Sequence, residues 1–216
     1  MTHSFSFLKN TPYKGILIDL DNTLYEYAPC HEAALKACHA LFSRKIKRVS
    51  YQIFKKHYLL AREAVKKNNA GTPGSRSRHL YFQRMLEHMY GRTHSSQSLL
   101  LGDLYWDTFL KKMKGKKWVF PFLKEQQGRG APVAVITNLE SSIQYRKLKQ
   151  LGIEDMIDFL VTSEEAGAEK PQRKIFRLAL DKMHLRPNDV VMIGDDKKED
   201  GKGAKNMGIR FFLCIS

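Results

Sequence analysis

Short apolar runs alternate with helical segments throughout the second half of this chain, and this alternation constrains the fold more than any other feature. Strands that are apolar along their whole length are buried on both faces, and helical connections between them favour parallel pairing. We therefore predict an α/β fold with a doubly wound parallel sheet. The predicted strands are GILIDL near the start, then APVAVIT, IDFLVT, DVVMIG and RFFLCI.

The segment between the first strand and the others differs in both pattern and charge. Residues 27–112 show apolar positions at helical spacing and no run that requires a strand. We predict an inserted helical domain there and a sheet domain formed by residues 1–26 and 113–216. The insertion carries 16 basic and 5 acidic side chains, a net charge of +11 out of +15 for the chain. This excess favours anionic partners, although a solvated basic face with no partner is an equal alternative.

A stretch rich in Gly, Pro and Ser, NNAGTPGSRSR, interrupts the helical pattern of the insertion at residues 68–78. Such a composition is typical of a loop. We interpret Arg76, Arg78 and His79, in and beside this loop, as a basic and solvated surface, with contact to a substrate as the alternative.

The composition is that of an ordinary globular protein. The 216 residues are 43% hydrophobic and 27% charged, and their apolar runs fall well short of the roughly 20 residues that a membrane span needs. The three cysteines form no CxxC pair, and no His/Cys spacing indicates zinc. We expect a cytoplasmic protein with no membrane anchor.

Polar and charged residues follow the predicted strands where each strand ends. In open α/β sheets this edge carries the ligand site. Carboxylates that converge there would repel one another unless a cation neutralised them, and oxygen ligands of this kind suit Mg²⁺. The residues are Asp19, Asp21 and Thr23 after the first strand, Thr137 and Asn138 after the second, Lys170 beyond the third, and Asp195, Asp196 and Asp200 after the fourth.

The ordered set DLDNT, ITN, EKP and GDDKKED resembles the four motifs of the haloacid dehalogenase (HAD) superfamily. The resemblance covers the first strand and nearly everything after residue 118. It implies a Rossmann-like core with an inserted α-helical cap of the C1 type, which residues 27–112 match in place and pattern. It also implies that Asp19 is a nucleophile that forms an aspartyl-phosphate, and that Asp21 is the general acid and then the general base.

The resemblance further implies a metal site and a phosphate site. The side chains of Asp19 and Asp195 and the backbone carbonyl of Asp21 would hold Mg²⁺. The transferred phosphoryl group would be met by Lys170, by Thr137, and by backbone amides near Asn22 and Asn138. Supporting roles would fall to Thr23, which would brace the loop, to Asp200, which would hold a metal-bound water or orient Lys170, and to Asp196.

We predict a Mg²⁺-dependent phosphatase acting on a small phosphorylated metabolite, a nucleotide or a sugar phosphate, because a helical cap limits substrate size. Dehalogenation is disfavoured, since a halide leaves without a proton and needs no acid at Asp21. Two alternatives stay open. One is a phosphomutase that uses the same carboxylates, and the other is a nucleic-acid or polyanion-binding protein with a basic cap, which rests on charge alone. The sequence gives no basis for predicting an oligomeric state.

Overall fold

The computed structural model describes residues 11–214, which divide into two compact units. One unit comprises residues 27–113 and contains helices but no strand. The other comprises residues 11–26 and 114–214 and holds the sheet. We refer to them as the helical unit and the sheet unit.

The helical unit is built from amphipathic helices that bury aromatic side chains. Its helices are α1 (Tyr27–Lys45), α2 (Tyr51–Asn68), α3 (Arg78–Tyr90) and α4 (Ser95–Lys112). The side chain of Ser50 caps α2 by accepting a hydrogen bond from the backbone N–H of Ile53. Phe42, Phe54 and Phe82 are fully buried, and the ring centres of Phe42 and Phe54 lie 5.3 Å apart. The apolar spacing of the sequence therefore corresponds to a shared aromatic core.

The connection between α2 and α3 is more ordered than its composition indicates. It contains a 3₁₀ turn at Pro73–Arg76, and Ser75 and Ser77 are buried. Arg78 is the first residue of α3 and is only 7% exposed. The prediction of a solvated basic loop is therefore wrong for Arg78, because tertiary packing against the aromatic core overrides the local composition.

The sheet unit contains five strands, all paired in parallel, in the order β3-β2-β1-β4-β5. This sheet confirms the predicted α/β fold. Since β1 lies in the middle of the sheet, all four of its residues are buried. The strands are β1 (Gly15–Ile18), β2 (Val133–Thr137), β3 (Phe159–Thr162), β4 (Val190–Gly194) and β5 (Arg210–Leu213).

Helices connect these strands and pack on the sheet. A large buried cluster includes Leu17, Val161 and Met192 from strands and Phe176 from a helix. The helices of this unit are α5 (Val119–Gly128), α6 (Ser141–Leu151), the single turn α7 (Ser163–Ala166), α8 (Arg173–Met183) and α9 (Lys202–Met207), with a π-helical turn at Lys197–Gly201 before α9.

The strand order creates a crevice at the carboxyl ends of β1 and β4. The chain runs outward from β1 through β2 to β3, then returns to the other side of β1 as β4 and continues to β5. Ile18 pairs with Val135 on one side and Ile193 on the other, so the residues after these positions emerge side by side. Ligands of open α/β sheets bind at such a switch point.

The three cysteines form no disulfide among the described residues. Cys30 and Cys38 are buried, Cys214 is partly exposed, and all three are free thiols.

Within residues 11–214, no helix combines the length and the hydrophobicity needed to cross a membrane.

Candidate active site

The crevice at the switch point contains the carboxylates that follow β1 and β4. The backbone N–H of Asp19 donates to the carbonyl of Ile193 at 2.9 Å, which fixes Asp19 at the end of the central strand. Asp19 is only 5% exposed. A single oxygen from each of Asp19, Asp195 and Asp200 lies within 4.8 Å of the others.

Lys170 supplies the positive charge at the centre of this group. Its Nζ donates to Asp19 Oδ1 at 2.5 Å, to Asp200 Oδ1 at 2.7 Å and to the carbonyl of Ile136 at 3.0 Å. Burial alone would lower the pKa of Lys170, but Asp19 and Asp200 raise it above its usual value. Lys170 therefore stays charged and holds two buried carboxylates in place.

One lysine does not neutralise the whole acidic group. Burial raises the pKa of Asp19, and Asp200 and Asp21 raise it further, while Lys170 opposes the rise. Burial also raises the pKa of Asp200. A further cation would stabilise the ionised forms, and carboxylate oxygens are the donors that Mg²⁺ prefers. The donor set of Asp19, Asp195 and Asp200 therefore fits Mg²⁺.

The loop after β1 is tied to this acidic group by two side chains. Thr23 is fully buried, and its hydroxyl contacts Asp19 Oδ2 at 2.9 Å and Asp195 Oδ1 at 3.2 Å. Asn22 donates from Nδ2 to Asp195 Oδ2 at 2.9 Å and has a left-handed backbone conformation with φ of 72°. Asn tolerates this conformation better than most residues, which explains its place in the turn.

Gly194 is needed for the approach of Asp200 to β4. A Cβ atom at this position would lie 2.2 Å from Asp200 Oδ2, which is too close for two atoms that are not bonded to each other. The backbone N–H of Asp196 donates to the same Asp200 oxygen at 3.2 Å. The Gly-Asp-Asp sequence at the end of β4 thus brings Asp195 and Asp200 to one side of the crevice.

Asp21 makes contacts that the sequence did not predict. Its Oδ1 accepts a hydrogen bond from Lys147 Nζ at 2.5 Å and one from the hydroxyl of Tyr25, and its Oδ2 accepts from Gln144 Nε2 at 3.3 Å. Burial raises the pKa of Asp21, but Lys147 and these hydrogen bonds outweigh it and lower the pKa below its ordinary value. Lys147 is 1% exposed, so this ion pair is shielded from solvent on the lysine side.

Two of the predicted phosphate-binding residues, Thr137 at the end of β2 and Asn138 directly after it, are buried. Gln144 Nε2 donates to Thr137 Oγ1 at 2.6 Å, so Gln144 joins Thr137 to Asp21. Asn138 Oδ1 accepts from the backbone N–H of Lys170 at 2.8 Å, and its Nδ2 donates to Glu199 Oε2 at 3.1 Å. The side chain of Asn138 therefore positions the lysine loop.

Asp196 has a local structural contact. It is exposed, and its Oδ1 accepts from the backbone N–H groups of Lys198 at 2.6 Å and Glu199 at 3.0 Å. It therefore caps the π-helical turn before α9. The structure thus brings Asp19, Asp195, Asp200, Lys170 and Thr23 into direct contact and gives Asp196 a capping position beside them.

Sequence reasoning missed Lys147 and Gln144, although a signal was available. Both lie on α6, where Ile143 and Leu148 are buried, so the face that points inward also carries Gln144 and Lys147. A lysine and a glutamine at neighbouring positions on the apolar face of a helix indicate a buried polar partner. Identifying Asp21 as that partner requires the tertiary structure.

Comparison with known proteins agrees with this geometry. Residues 13–208 match the model of the haloacid dehalogenase-like hydrolase family. The chain is 38% identical over 199 residues to ribulose-1,5-bisphosphate 5-phosphatase of Halopiger xanaduensis, covering 92% of this chain and 83% of the relative. It is 28% identical over 197 residues to glyceraldehyde 3-phosphate phosphatase of Methanopyrus kandleri, covering 91% and 81%.

A solved structure shows the same fold. The magnesium-bound HAD-hydrolase YfnB of Bacillus subtilis aligns with a TM-score of 0.72 and 21% identity, covering 94% of this chain and 89% of that one. The fold, the motif residues at the switch point and the family match lead to one conclusion. The chain belongs to the haloacid dehalogenase-like hydrolase family.

Proposed function

We propose that this protein is a Mg²⁺-dependent phosphatase that hydrolyses a small phosphorylated metabolite through an aspartyl-phosphate on Asp19. The observation that carries the proposal is the position of Asp19 at the end of the central strand, in contact with Lys170 and grouped with Asp195 and Asp200. The names of two relatives, a ribulose-1,5-bisphosphate phosphatase and a glyceraldehyde 3-phosphate phosphatase, support a phosphorylated sugar or triose as substrate.

The metal would be held by Asp19 and Asp195, with the backbone carbonyl of Asp21 as a further ligand. Asp200 is close enough to the other two to act as a ligand or to hold a metal-bound water. When bound, Mg²⁺ would reduce the repulsion between the anionic nucleophile and the anionic phosphoryl group. Lys170 and Thr137 would meet charge on the phosphoryl oxygens.

Asp19 and Asp21 divide the chemistry between them. An oxygen of Asp19 attacks phosphorus, the bond from phosphorus to the ester oxygen breaks, and Asp21 gives its proton to the departing oxygen. In the second step Asp21 takes a proton from water as that water attacks phosphorus, which releases inorganic phosphate and restores Asp19. Their spacing of two residues at a strand end allows the carboxylates to reach opposite sides of one phosphoryl group.

The contacts of Asp21 support its role in the second step. Lys147, Tyr25 and Gln144 stabilise the carboxylate form of Asp21, which is the form left after the first step and the form that accepts a proton from water in the second. The proton that Asp21 gives in the first step is the one that it took from water in the preceding turnover. Gln144 also contacts Thr137, so one side chain sets the relative position of the proton carrier and a phosphate-binding hydroxyl. Lys147 and Gln144 thus act as positioning residues for Asp21.

Phosphate release from a substrate panel tests the proposal. The panel contains ribulose 1,5-bisphosphate, glyceraldehyde 3-phosphate, a nucleoside monophosphate and an aryl phosphate, each assayed with Mg²⁺ and with EDTA. We expect metal-dependent release by the native protein, complete loss with Asp19→Asn, and no change with Asp155→Asn, an exposed carboxylate of the same unit. Absence of release from every ester would overturn the proposal, and phosphate returned to the substrate instead of water would indicate a phosphomutase.

A further inference from the structure

The helical unit contains a buried guanidinium with no carboxylate partner. Arg78 is 7% exposed, and no ion pair joins it to an acidic side chain within residues 11–214. An arginine is charged at every pH at which the protein is folded. A buried charge without a partner costs several kcal/mol, so its presence calls for an explanation.

Aromatic rings surround this guanidinium. Its central carbon lies 5.2 Å from the ring centre of Tyr81, 5.1 Å from that of Tyr105 and 5.0 Å from that of Trp106. Nη2 donates to the hydroxyl of Tyr27 at 2.6 Å, and Nη1 donates to the carbonyl of Arg76. The rings offer attraction to the cation, but they supply no negative charge.

Two polar atoms here have no hydrogen-bond partner among the described residues. They are Nε of Arg78 and the hydroxyl oxygen of Tyr58, and both are shielded from solvent. Nearly all buried polar groups in proteins are paired, so unpaired donors beside a buried cation indicate a missing acceptor.

The titratable neighbours of Arg78 do not compensate for its charge. Burial, followed by the charge of Arg78, lowers the pKa of His31 to about 4, so this imidazole is neutral. Burial raises the pKa of Tyr58 and of Tyr105, so both phenols keep their protons. Arg78 begins α3, and the first turn of that helix contains no acidic residue. The positive end of the helix dipole therefore adds to the uncompensated positive charge of the guanidinium.

From these observations we propose that Arg78, with the hydroxyls of Tyr58 and Tyr27, forms an oxyanion site that binds a phosphate or carboxylate group of a small metabolite. An oxyanion would accept from Nε and from Tyr58 and would neutralise the guanidinium through charge-assisted hydrogen bonds. Anion binding at this site is independent of the proposed phosphatase function.

Binding of inorganic phosphate near His31 tests the site directly. The ring of His31 lies 6.0 Å from that of Tyr58 and 5.7 Å from that of Tyr105, centre to centre, so its NMR signals report on this region. We expect saturable shifts of the His31 signals with millimolar phosphate in the native protein. Arg78→Met should weaken this binding by at least about 10-fold. Arg84→Met, which removes an exposed arginine from the same helix, should leave it unchanged.

A second variant keeps the test decisive if Arg78→Met does not fold. Tyr58→Phe removes only an unpartnered hydroxyl, and we expect it to weaken phosphate binding several-fold. If the His31 signals of the native protein do not respond to phosphate, the proposal is overturned. It is also overturned if Tyr58→Phe or Arg78→Met binds phosphate as tightly as the native protein does.

Discussion

Replacing Lys147 tests how much the positioning of Asp21 contributes to activity, apart from the rest of the site. Lys147→Met removes the 2.5 Å ion pair but leaves Asp19, Lys170 and the acidic group in place. We expect kcat to fall by about 10- to 100-fold with little change in KM, because a general acid and base contributes roughly 10²- to 10⁴-fold when well placed. Steady-state kinetics with a single ester measures both.

Lys149→Met is the matched control, since Lys149 is an exposed lysine on the same helix. It should retain native kinetics. Equal kinetics of Lys147→Met and Lys149→Met would show that the buried ion pair has no part in the reaction.

Lys170 is expected to matter for stability as well as for activity. Lys170→Met leaves Asp19 and Asp200 buried without their shared cation, and removal of one partner of a buried ion pair typically costs about 3 to 5 kcal/mol. Denaturant unfolding in EDTA should show a loss of this size. Lys174→Met, at an exposed position in the same region, should lie close to the native protein, and a loss below about 1 kcal/mol for Lys170→Met would contradict the buried geometry.

The site residues differ in how far the sequence reveals them. Asp19 and Lys170 follow predicted strands or occupy motif positions, so pattern and resemblance find them. Lys147 lies within a helix, where a lysine is usually solvated, and only the fold places its ammonium beside Asp21. Arg78 lies next to Gly, Pro and Ser residues that favour a loop, yet it packs into an aromatic core. Residues whose partner is distant in sequence escape local pattern analysis.

Strand β4 and the turn after it offer a test of close packing. Gly194→Ala would place a methyl group 2.2 Å from Asp200 Oδ2 and force Asp200 away from its bonds to Lys170 and Asp196. We expect a loss of unfolding free energy of about 1 to 3 kcal/mol and a large loss of kcat. Thermal unfolding and phosphate release measure the two effects.

Gly128→Ala provides the comparison, because a Cβ atom at Gly128, the last residue of α5, meets nothing within 4 Å. It should be neutral or slightly stabilising. A Gly194→Ala protein with native stability and activity would show that Asp200 does not need its position against β4.

Helix α1 carries a histidine that should make stability depend on pH. The pKa of His31 is lowered to about 4 by burial and by Arg78, against 6.5 in an unfolded chain. Between these values the unfolded chain binds a proton that the folded chain does not, so the free energy of unfolding falls as pH falls from 6.5 towards 4. The contribution approaches about 1.4 kcal/mol per pH unit and vanishes above pH 6.5.

Unfolding of His31→Phe at several pH values between 5 and 7 measures this contribution. The variant loses a hydrogen bond to Tyr105, so its overall stability drops, but its slope against pH should be shallower than the native slope. Parallel slopes for native protein and His31→Phe would show that His31 takes up a proton equally in both states.

The elements themselves were largely predictable. All five strands correspond to apolar runs in the sequence. The three central strands, β1, β2 and β4, are buried along their whole length, as expected for a parallel sheet covered on both faces. The helices α1 to α4 follow from apolar spacing. The 3₁₀ turn at Pro73–Arg76 and the π-helical turn at Lys197–Gly201 were not predicted, since their geometry depends on the packing of Ser75 and on the hydrogen bonds of Asp196 and Asp200.

The charge of the whole molecule is unevenly distributed. The net charge is +15, and residues 27–112 carry +11 of it. A positive potential of this kind attracts anionic metabolites and increases their rate of association, an effect that salt weakens. The same potential would attract a polyanion, so the prediction of a polyanion-binding protein has no support beyond charge.

The proposed phosphatase mechanism depends on one covalent intermediate, and trapping that intermediate tests the mechanism most directly. Native protein is mixed with Mg²⁺ and with an ester that it hydrolyses. Samples are quenched in acid at times from a fraction of a turnover to several turnovers and are then digested for mass spectrometry. We predict one added phosphoryl group on the peptide that contains Asp19, formed within the first turnover and absent from Asp19→Asn. A phosphoryl group on a different residue, or steady release of phosphate with no labelled peptide at any time, would contradict the mechanism.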